Sequence, residues 1–291
     1  MKKIYILKLL VVFILANGQA QGLLDGFMTG KGNVDVAVSY MHESFDRYFV
    51  KDIETINGNL GTITTQSLSL FTKVGITNFL DVIATVPYVH AAPNAGYWQT
   101  QQGLQDLSLY IKVRPYQVQL KDQSRFDVML AAGIITPVSD YIPDAPVAIG
   151  HQSTQFDGRV IAQFYHHSGI FASGQAGYFR RNNVMIDRGY EVSVPDAWDY
   201  VARLGFNHSL FYTHLFFQSQ RARSGTNIGP GVPFPSNAIS FDRAGVTLAY
   251  KVPLVSRLTV FGGYTRTLSG RNIGDTTGWN GGIVYGFGQL F

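Results

Sequence analysis

The stretch 106–114, with the sequence DLSLYIKVR, alternates polar and apolar side chains along its length. In an extended chain Leu107 and Leu109 fall on one side, whereas Ser108 and Lys112 fall on the other. A period of two over about ten residues is typical of a strand with lipid on one face and water or protein on the other. The stretch therefore predicts a transmembrane β-strand.

The same alternation recurs along the chain, in segments separated by turn-forming residues. Apolar residues spaced by two begin at Val34, Leu68, Leu80, Leu107, Phe126, Phe156, Ile170, Trp198, Val246, Leu258 and Trp279. The stretch 210–220 adds one more strand, of uncertain phase. Bacterial barrels have even strand numbers, and a sheet can cross lipid only if it closes on itself. The pattern predicts an all-β protein, a transmembrane antiparallel up-and-down β-barrel of about 12 strands.

The beginning of the chain is different. Lys2, Lys3 and Lys8 precede or flank a short apolar run at 9–16, and the small residue Ala20 suits a cleavage site, so residues 1–20 are predicted to be a signal peptide. Residues 21–291 then form the barrel domain. The formal charge of +4 falls to +1 once these three lysines are removed, because the segment contains no acidic residue. The net positive charge of the full sequence thus gives no reason to expect nucleic acid as a partner.

Charged residues on the non-lipid side of the strands are the candidate site. Both signs occur, and these side chains need water or partners. The predicted lumen-lining residues are Asp35, Lys73, Asp81, Asp106, Lys112, Arg114, Asp157, Arg159, Asp199, Arg203 and Lys251. Lys112 and Arg114 are two residues apart and are expected to share a face, where they would influence ion selectivity if the lumen is open.

The end of the chain, 285–291, reads YGFGQLF. Tyr285, Phe287 and Phe291 alternate, and the stretch resembles the signal by which outer-membrane barrels are recognised for insertion. The resemblance implies a bacterial outer-membrane location, with outer-membrane lipids and the barrel-assembly machinery as partners.

Three short stretches resemble one family more closely. They are 74–89, which contains GITNFLD and VPYV; 103–112, which begins GLQD; and 131–137, which ends in Pro. Their turn, strand-end and strand-start patterns resemble the outer-membrane transporter family associated with meta-pathway phenol degradation. The resemblance implies passive uptake of small, aromatic or apolar solutes, and it brings no defined site residues. No cofactor and no catalytic residue is predicted.

Two alternatives remain open. The sequence His151-Gln152-Ser153 is similar to a run in outer-membrane phospholipase A, where the His and the Ser are catalytic, and it would make the chain a lipid hydrolase. This chain lacks the Asn-Gly that follows there. The other alternative is a structural or adhesive barrel that works through its loops. The pair His166-His167 is not predicted to bind metal, because a metal site needs three or four converging ligands.

Overall fold

Long antiparallel strands make up most of residues 24–288, which are the residues that the computed structural model describes. Within that range twelve strands form the barrel wall: β1 (Val34–Phe45), β2 (Ile63–Thr77), β3 (Leu80–Pro93), β4 (Asp106–Gln119), β5 (Arg125–Pro137), β6 (Gln155–Tyr165), β7 (Ile170–Arg181), β8 (Ala197–His208), β9 (Phe211–Ala222), β10 (Ser240–Lys251), β11 (Leu258–Arg271) and β12 (Thr277–Phe287). The predicted signal peptide at 1–20 and Phe291 lie outside the described residues.

The sheet closes between its first and last strands. Each strand pairs with its neighbours in sequence, and β1 also pairs with β12, from Val34 opposite Phe287 to Ser44 opposite Thr277. Closure leaves none of the twelve described wall strands at an open sheet edge, which is what a sheet needs in order to lie in lipid. The predicted antiparallel up-and-down barrel of twelve strands is confirmed.

The outer surface of the barrel carries an apolar belt. Its exposed side chains include Val38, Leu68, Leu70, Leu109, Ile111, Leu130, Phe156, Val160, Leu204, Leu215, Leu248 and Ile283. Tyr285 and Phe287 of β12 are exposed on the same outward face. So much contiguous apolar surface would be unfavourable in water, but it suits the hydrocarbon of a bilayer. No helix among residues 24–288 is long and apolar enough to cross a membrane.

The two ends of the barrel differ in the length of their connections. One end has short turns, such as 78–79, 166–169 and 209–210, and the other has long loops, such as 46–62 and 182–196. Barrels of this kind have short periplasmic turns and longer external loops, and we name the two ends accordingly. The long loops contain short strand pairs of their own, including Arg47–Val50 with Ile53–Ile56. The strand Gln101–Leu104 extends the sheet beside β3.

At one position in the wall, Gly133, the packing leaves no room for a side chain. The Tyr110 ring lies flat over Gly133 on the neighbouring strand, so closely that a Cβ atom there would overlap it. The Tyr110 hydroxyl donates a hydrogen bond of 2.7 Å to Asp157, which lies opposite Gly133 on the next strand, β6. Glycine at position 133 therefore leaves the space that the ring occupies.

Gly133→Ala is expected to displace this ring and to lower the free energy of unfolding by about 1–3 kcal/mol, as overpacking does in other cores. Urea unfolding of the folded barrel in detergent measures the effect. Gly158→Ala and Gly174→Ala are matched controls, because a Cβ atom at either position meets nothing within 4 Å. An equal loss in all three variants would show that the Tyr110 contact is not what makes position 133 sensitive.

Candidate functional site: a lumen with two caps

The segment before β1 folds into the lumen of the barrel. Residues 24–33, here called the arm, lie in the periplasmic half of the lumen. Side-chain amides of Gln163 and Gln175 donate hydrogen bonds of 2.8 and 3.0 Å to the carbonyls of Gly26 and Leu24. Phe27 meets the rings of Tyr165, Phe171 and Tyr212 edge-on. The arm is thus held by both polar and aromatic contacts.

A compact charge cluster fixes the arm to the wall. The Asp25 carboxylate lies 3.2 Å from the Lys73 ammonium and 3.1 Å from that of Lys112. Lys112 is completely buried, and its ammonium also lies 3.5 Å from Asp81 and donates a 2.6 Å hydrogen bond to the Phe27 carbonyl. Burial raises the pKa of the Asp25 carboxyl, but the attraction of Lys112 and Lys73 outweighs it and holds the pKa well below its usual range.

An apolar core surrounds the arm inside the barrel. Its buried members are Leu24, Ile83, Tyr110, Met129, Ala131 and Ile161, with Met28, Phe71 and Ile135 packed against them. Wall residues on the lumen side of β3, β5 and β6 thus pack on the arm as in a soluble protein. The sequence pattern, read strand by strand, had predicted only charged and polar groups on that side.

The external end of the lumen is capped by the loop 138–154. The Tyr141 hydroxyl donates a 2.6 Å hydrogen bond to Asp106 and accepts one of 2.9 Å from the backbone N–H of Gln152. The Gln105 side-chain amide donates to the Ile149 carbonyl. Val147 and Ile149 are buried against the wall residue Val89, within a second apolar cluster. These contacts hold the loop inside the barrel mouth.

Between the two caps lies a chamber of about 680 Å³. Asp25 of the arm lies at one end and Ala148 and Ile149 of the loop at the other. Much of the wall between them is small and polar, with Thr65, Ser67, Ser69, Thr85 and Ser108 among its residues. Four carboxylates line the chamber, those of Asp25, Asp35, Glu43 and Asp106, against the single ammonium of Lys73.

A smaller recess of about 320 Å³ adjoins the chamber at Met41, Glu43 and Ile135, which line both. Here the guanidinium of Arg159 bridges two carboxylates, at 2.9 Å from Asp157 and 2.9 Å from Asp199. Arg203 and Arg243 line the same recess, and Arg243 lies 3.5 Å from Glu43. The recess thus carries three acidic side chains, those of Glu43, Asp157 and Asp199, and the three basic side chains of Arg159, Arg203 and Arg243.

The residues singled out in the sequence fall into three groups. Asp35, Lys73 and Asp106 line the chamber; Asp157, Arg159, Asp199 and Arg203 line the recess; Asp81 and Lys112 lie beside the arm. Arg114 and Lys251 are at the periplasmic rim. The pairing of β4 with β5 shifts between Val113 and Tyr116, and the Arg114 guanidinium donates a 2.9 Å hydrogen bond to the Asn78 carbonyl in the β2–β3 turn. Lys251 is exposed at the end of β10.

Sequence reasoning missed several residues of the lumen. Glu43 continues the lumen-side alternation of β1 beyond Tyr40, so a longer reading of that strand would have found it. His214 shows the phase of β9, because it is buried while Leu215 is exposed. Asp25 precedes every strand, and no periodic signal pointed to it.

The geometry around Ser153 does not form a nucleophile and base. Ser153 is almost completely buried, and its hydroxyl donates to the Asn182 carbonyl instead of to an imidazole. Burial, together with the charge of Arg181, lowers the pKa of His151 to about 4. Among residues 24–288, no hydrogen bond joins His151 to Ser153.

A third cavity, of about 520 Å³, lies among the external loops. Aromatic and aliphatic side chains dominate its lining, including Phe45, Tyr48, Leu60, Trp98, Phe234 and Ile273, with Asn57 and Asn272 as polar groups. Trp98 and its neighbour Tyr97 are exposed to solvent. This external cavity is therefore more apolar than the chamber.

Comparison with known proteins agrees with this architecture. The COG4313 outer membrane channel from Pseudomonas putida F1 superposes with a TM-score of 0.73 at 12% identity, over 91% of this chain and 100% of that one. The NanC porin gives 0.49 at 9% identity, over 87% and 98%. At these identities the first likeness shows the fold alone. Among curated protein sequences, none matches the chain.

The family comparison covers most of the chain. The matched residues, 54–279, run from the first external loop to the start of β12 and include both the chamber wall and the loop 138–154. The match agrees with the resemblance seen in the short turn and strand-end patterns. The chain belongs to the family described as "Putative MetA-pathway of phenol degradation".

Proposed function

We propose that this protein transfers small solutes passively across the outer membrane, through the chamber between the arm and the loop 138–154. The single observation that carries the proposal is that chamber, whose volume of about 680 Å³ suits one small solute at a time. Twelve strands give a lumen between the side-chain-filled interior of eight-stranded barrels and the open channel of porins. The neighbour with the same fold is named as a channel, which supports the proposal.

The apolar external cavity supports a small aromatic or apolar solute. A ring entering from outside would first contact side chains such as Tyr48, Trp98 and Phe234. Such surfaces bind apolar solutes through the area that they remove from water. The family description names phenol degradation, which agrees with a small aromatic molecule. The solute would first lose water as it binds in the external cavity, and it would then diffuse through the polar chamber.

The charges of the chamber predict which ions accompany such a flux. The chamber and the adjoining recess together are lined by six carboxylates, with Glu43 shared between them, and by four basic side chains. In a narrow lumen such charges act on passing ions more strongly than they would at the surface, because less water screens them. A conducting state should therefore prefer cations.

In planar bilayers with a salt gradient, the reversal potential should show a preference for cations, and Asp35→Asn should reduce it. Asp35 lines the chamber, so its charge lies on the proposed route. Asp52→Asn is the matched control, because Asp52 is exposed in the turn of an external hairpin. A barrel that never conducts would contradict the transport proposal. Equal effects of the two substitutions would contradict the chamber as the route.

The same proposal makes the protein a non-enzymatic barrel. The hydroxyl of Ser153 is engaged by a backbone carbonyl, which supports this reading over lipid hydrolysis. We also propose that the barrel-assembly machinery recognises the last strand. The outward exposure of Tyr285 and Phe287 on β12 supports that interaction.

A further inference from the structure

Two periplasmic turns meet at the rim of the barrel because their strands are neighbours. Arg125, the first residue of β5, pairs with Tyr165, the last residue of β6. The turn 120–124 precedes the first of these residues, and the turn 166–169 follows the second. Side chains that are more than 40 positions apart in sequence are thereby brought together.

Three metal-ligating side chains converge where the turns meet. A carboxylate oxygen of Asp122 and one ring nitrogen from each of His166 and His167 all lie within 4.8 Å of one another. The Asp122 oxygen is 3.9 Å from His166 Nε2, and the two imidazole ring centroids are 4.1 Å apart. His167 is exposed and His166 is partly exposed, so ions in solution can reach the cluster.

Two serine residues orient the ligand groups. The backbone N–H and the hydroxyl of Ser124 donate to the two oxygens of Asp122 at 3.1 and 2.8 Å. The Ser168 hydroxyl lies 2.8 Å from His166 Nδ1. Nδ1 also accepts a 3.3 Å hydrogen bond from the Ser168 backbone N–H. Metal binding through Nε2 therefore requires the proton to be on Nδ1, which would then donate to the Ser168 hydroxyl instead. A hydrogen bond of this kind to the other ring nitrogen is how proteins prepare a histidine ligand.

We propose that Asp122, His166 and His167 bind one transition-metal dication of the Zn²⁺ class at the periplasmic rim. Two imidazoles and a carboxylate form a nitrogen-rich set that suits Zn²⁺ and disfavours Mg²⁺ and Ca²⁺, which prefer oxygen ligands. With bonds of about 2.0–2.2 Å, tetrahedral ligand atoms lie roughly 3.3 Å apart, so the turns need to close by about 1.5 Å at most. Water would complete the coordination.

Bound metal would join the β4–β5 turn to the β6–β7 turn. The His-His pair alone offers two ligands, and the third comes from the register of β5 with β6. The competing explanation for the same geometry is an ion pair between Asp122 and protonated His166, with no metal. The two explanations differ in what Zn²⁺ does to the protein.

The test is a titration of the tag-free, full-length mature barrel in detergent with Zn²⁺, followed by calorimetry. One Zn²⁺ per barrel is expected to bind, and Mg²⁺ is expected to give no heat. His166→Gln, His167→Ala and Asp122→Asn should each weaken the affinity at least about tenfold, because loss of a ligand exceeds the usual cost of losing its supporting hydrogen bond. His90→Ala, far away in β3, is the control and should leave the affinity unchanged.

Substitution of the bound ion by Co²⁺ adds a second measurement. Its visible spectrum should show nitrogen coordination that is lost in His167→Ala. Heat-modifiable gel migration shows that each variant is folded. Absence of Zn²⁺ binding by the wild type at millimolar concentration would overturn the proposal and favour the ion pair. Zn²⁺ binding that survives all three substitutions would overturn it as well.

Discussion

Deletion of residues 24–32 is expected to increase the single-channel conductance of the barrel several-fold. The arm occupies the periplasmic half of the lumen, where Phe27 packs on three aromatic rings and two glutamine side chains bind its backbone. Its removal leaves a water-filled passage between the chamber and the periplasm. The charges of Lys73, Asp81 and Lys112 then become hydrated, so the strands themselves keep their pairing.

The measurement compares wild type and deletion in planar bilayers under identical salt. Residues 21–23 are kept in the deletion so that the predicted cleavage site is unchanged. Heat-modifiable migration serves as the control for barrel closure. Asp25→Arg is a milder variant, because it places a third cation beside Lys73 and Lys112 and should release the arm without shortening the chain. If a well-folded deletion conducts as the wild type does, the arm is not the obstruction.

The arm also shows where sequence reasoning reaches its limit. Alternation is a local property, because the side-chain period of a strand is two, and it correctly predicted twelve strands and their closure. The apolar faces of β4 and β6 could be predicted in this way, since lipid demands an apolar residue at every second position. The arm carries no such period, and its contacts with Gln163 and Gln175 lie more than 130 residues away along the chain.

Ion pairing among the lumen-facing side chains was equally hidden. Asp157, Arg159 and Asp199 were each predicted to face inward, but their association depends on the register between β6, β7 and β8. Position along the barrel axis was hidden as well. Arg114 lies one residue beyond the pair of Leu80 with Val113, where its backbone N–H donates to the Phe79 carbonyl and its guanidinium donates to the Asn78 carbonyl at the rim. Alternation gives the face of a residue but not its depth, so it could not separate Arg114 at the rim from the buried Lys112.

Because Lys112 is buried and Arg114 is at the rim, reversing the two charges is expected to affect stability very differently. With both side chains in an open lumen, reversal of either charge would alter ion selectivity and leave folding intact. The structure instead gives Lys112 no solvent exposure and two carboxylate partners, Asp25 at 3.1 Å and Asp81 at 3.5 Å. Lys112→Glu would place a third carboxylate between them, with no cation except Lys73 nearby.

Removing one partner of a buried ion pair lowers the free energy of unfolding by about 3–5 kcal/mol, and reversing the charge of that partner adds repulsion. Lys112→Glu is therefore expected to lower the free energy of unfolding by about that amount, because the new carboxylate stays beside Asp81 on the wall even when the arm is released. Arg114→Glu is the matched control: it reverses a charge two positions away at an exposed hydrogen bond, where surface interactions contribute about 1 kcal/mol or less. Urea unfolding of both variants measures the difference. Equal stability of the two would mean that the Lys112 site is wet, and that its charge acts on ions instead of holding the arm.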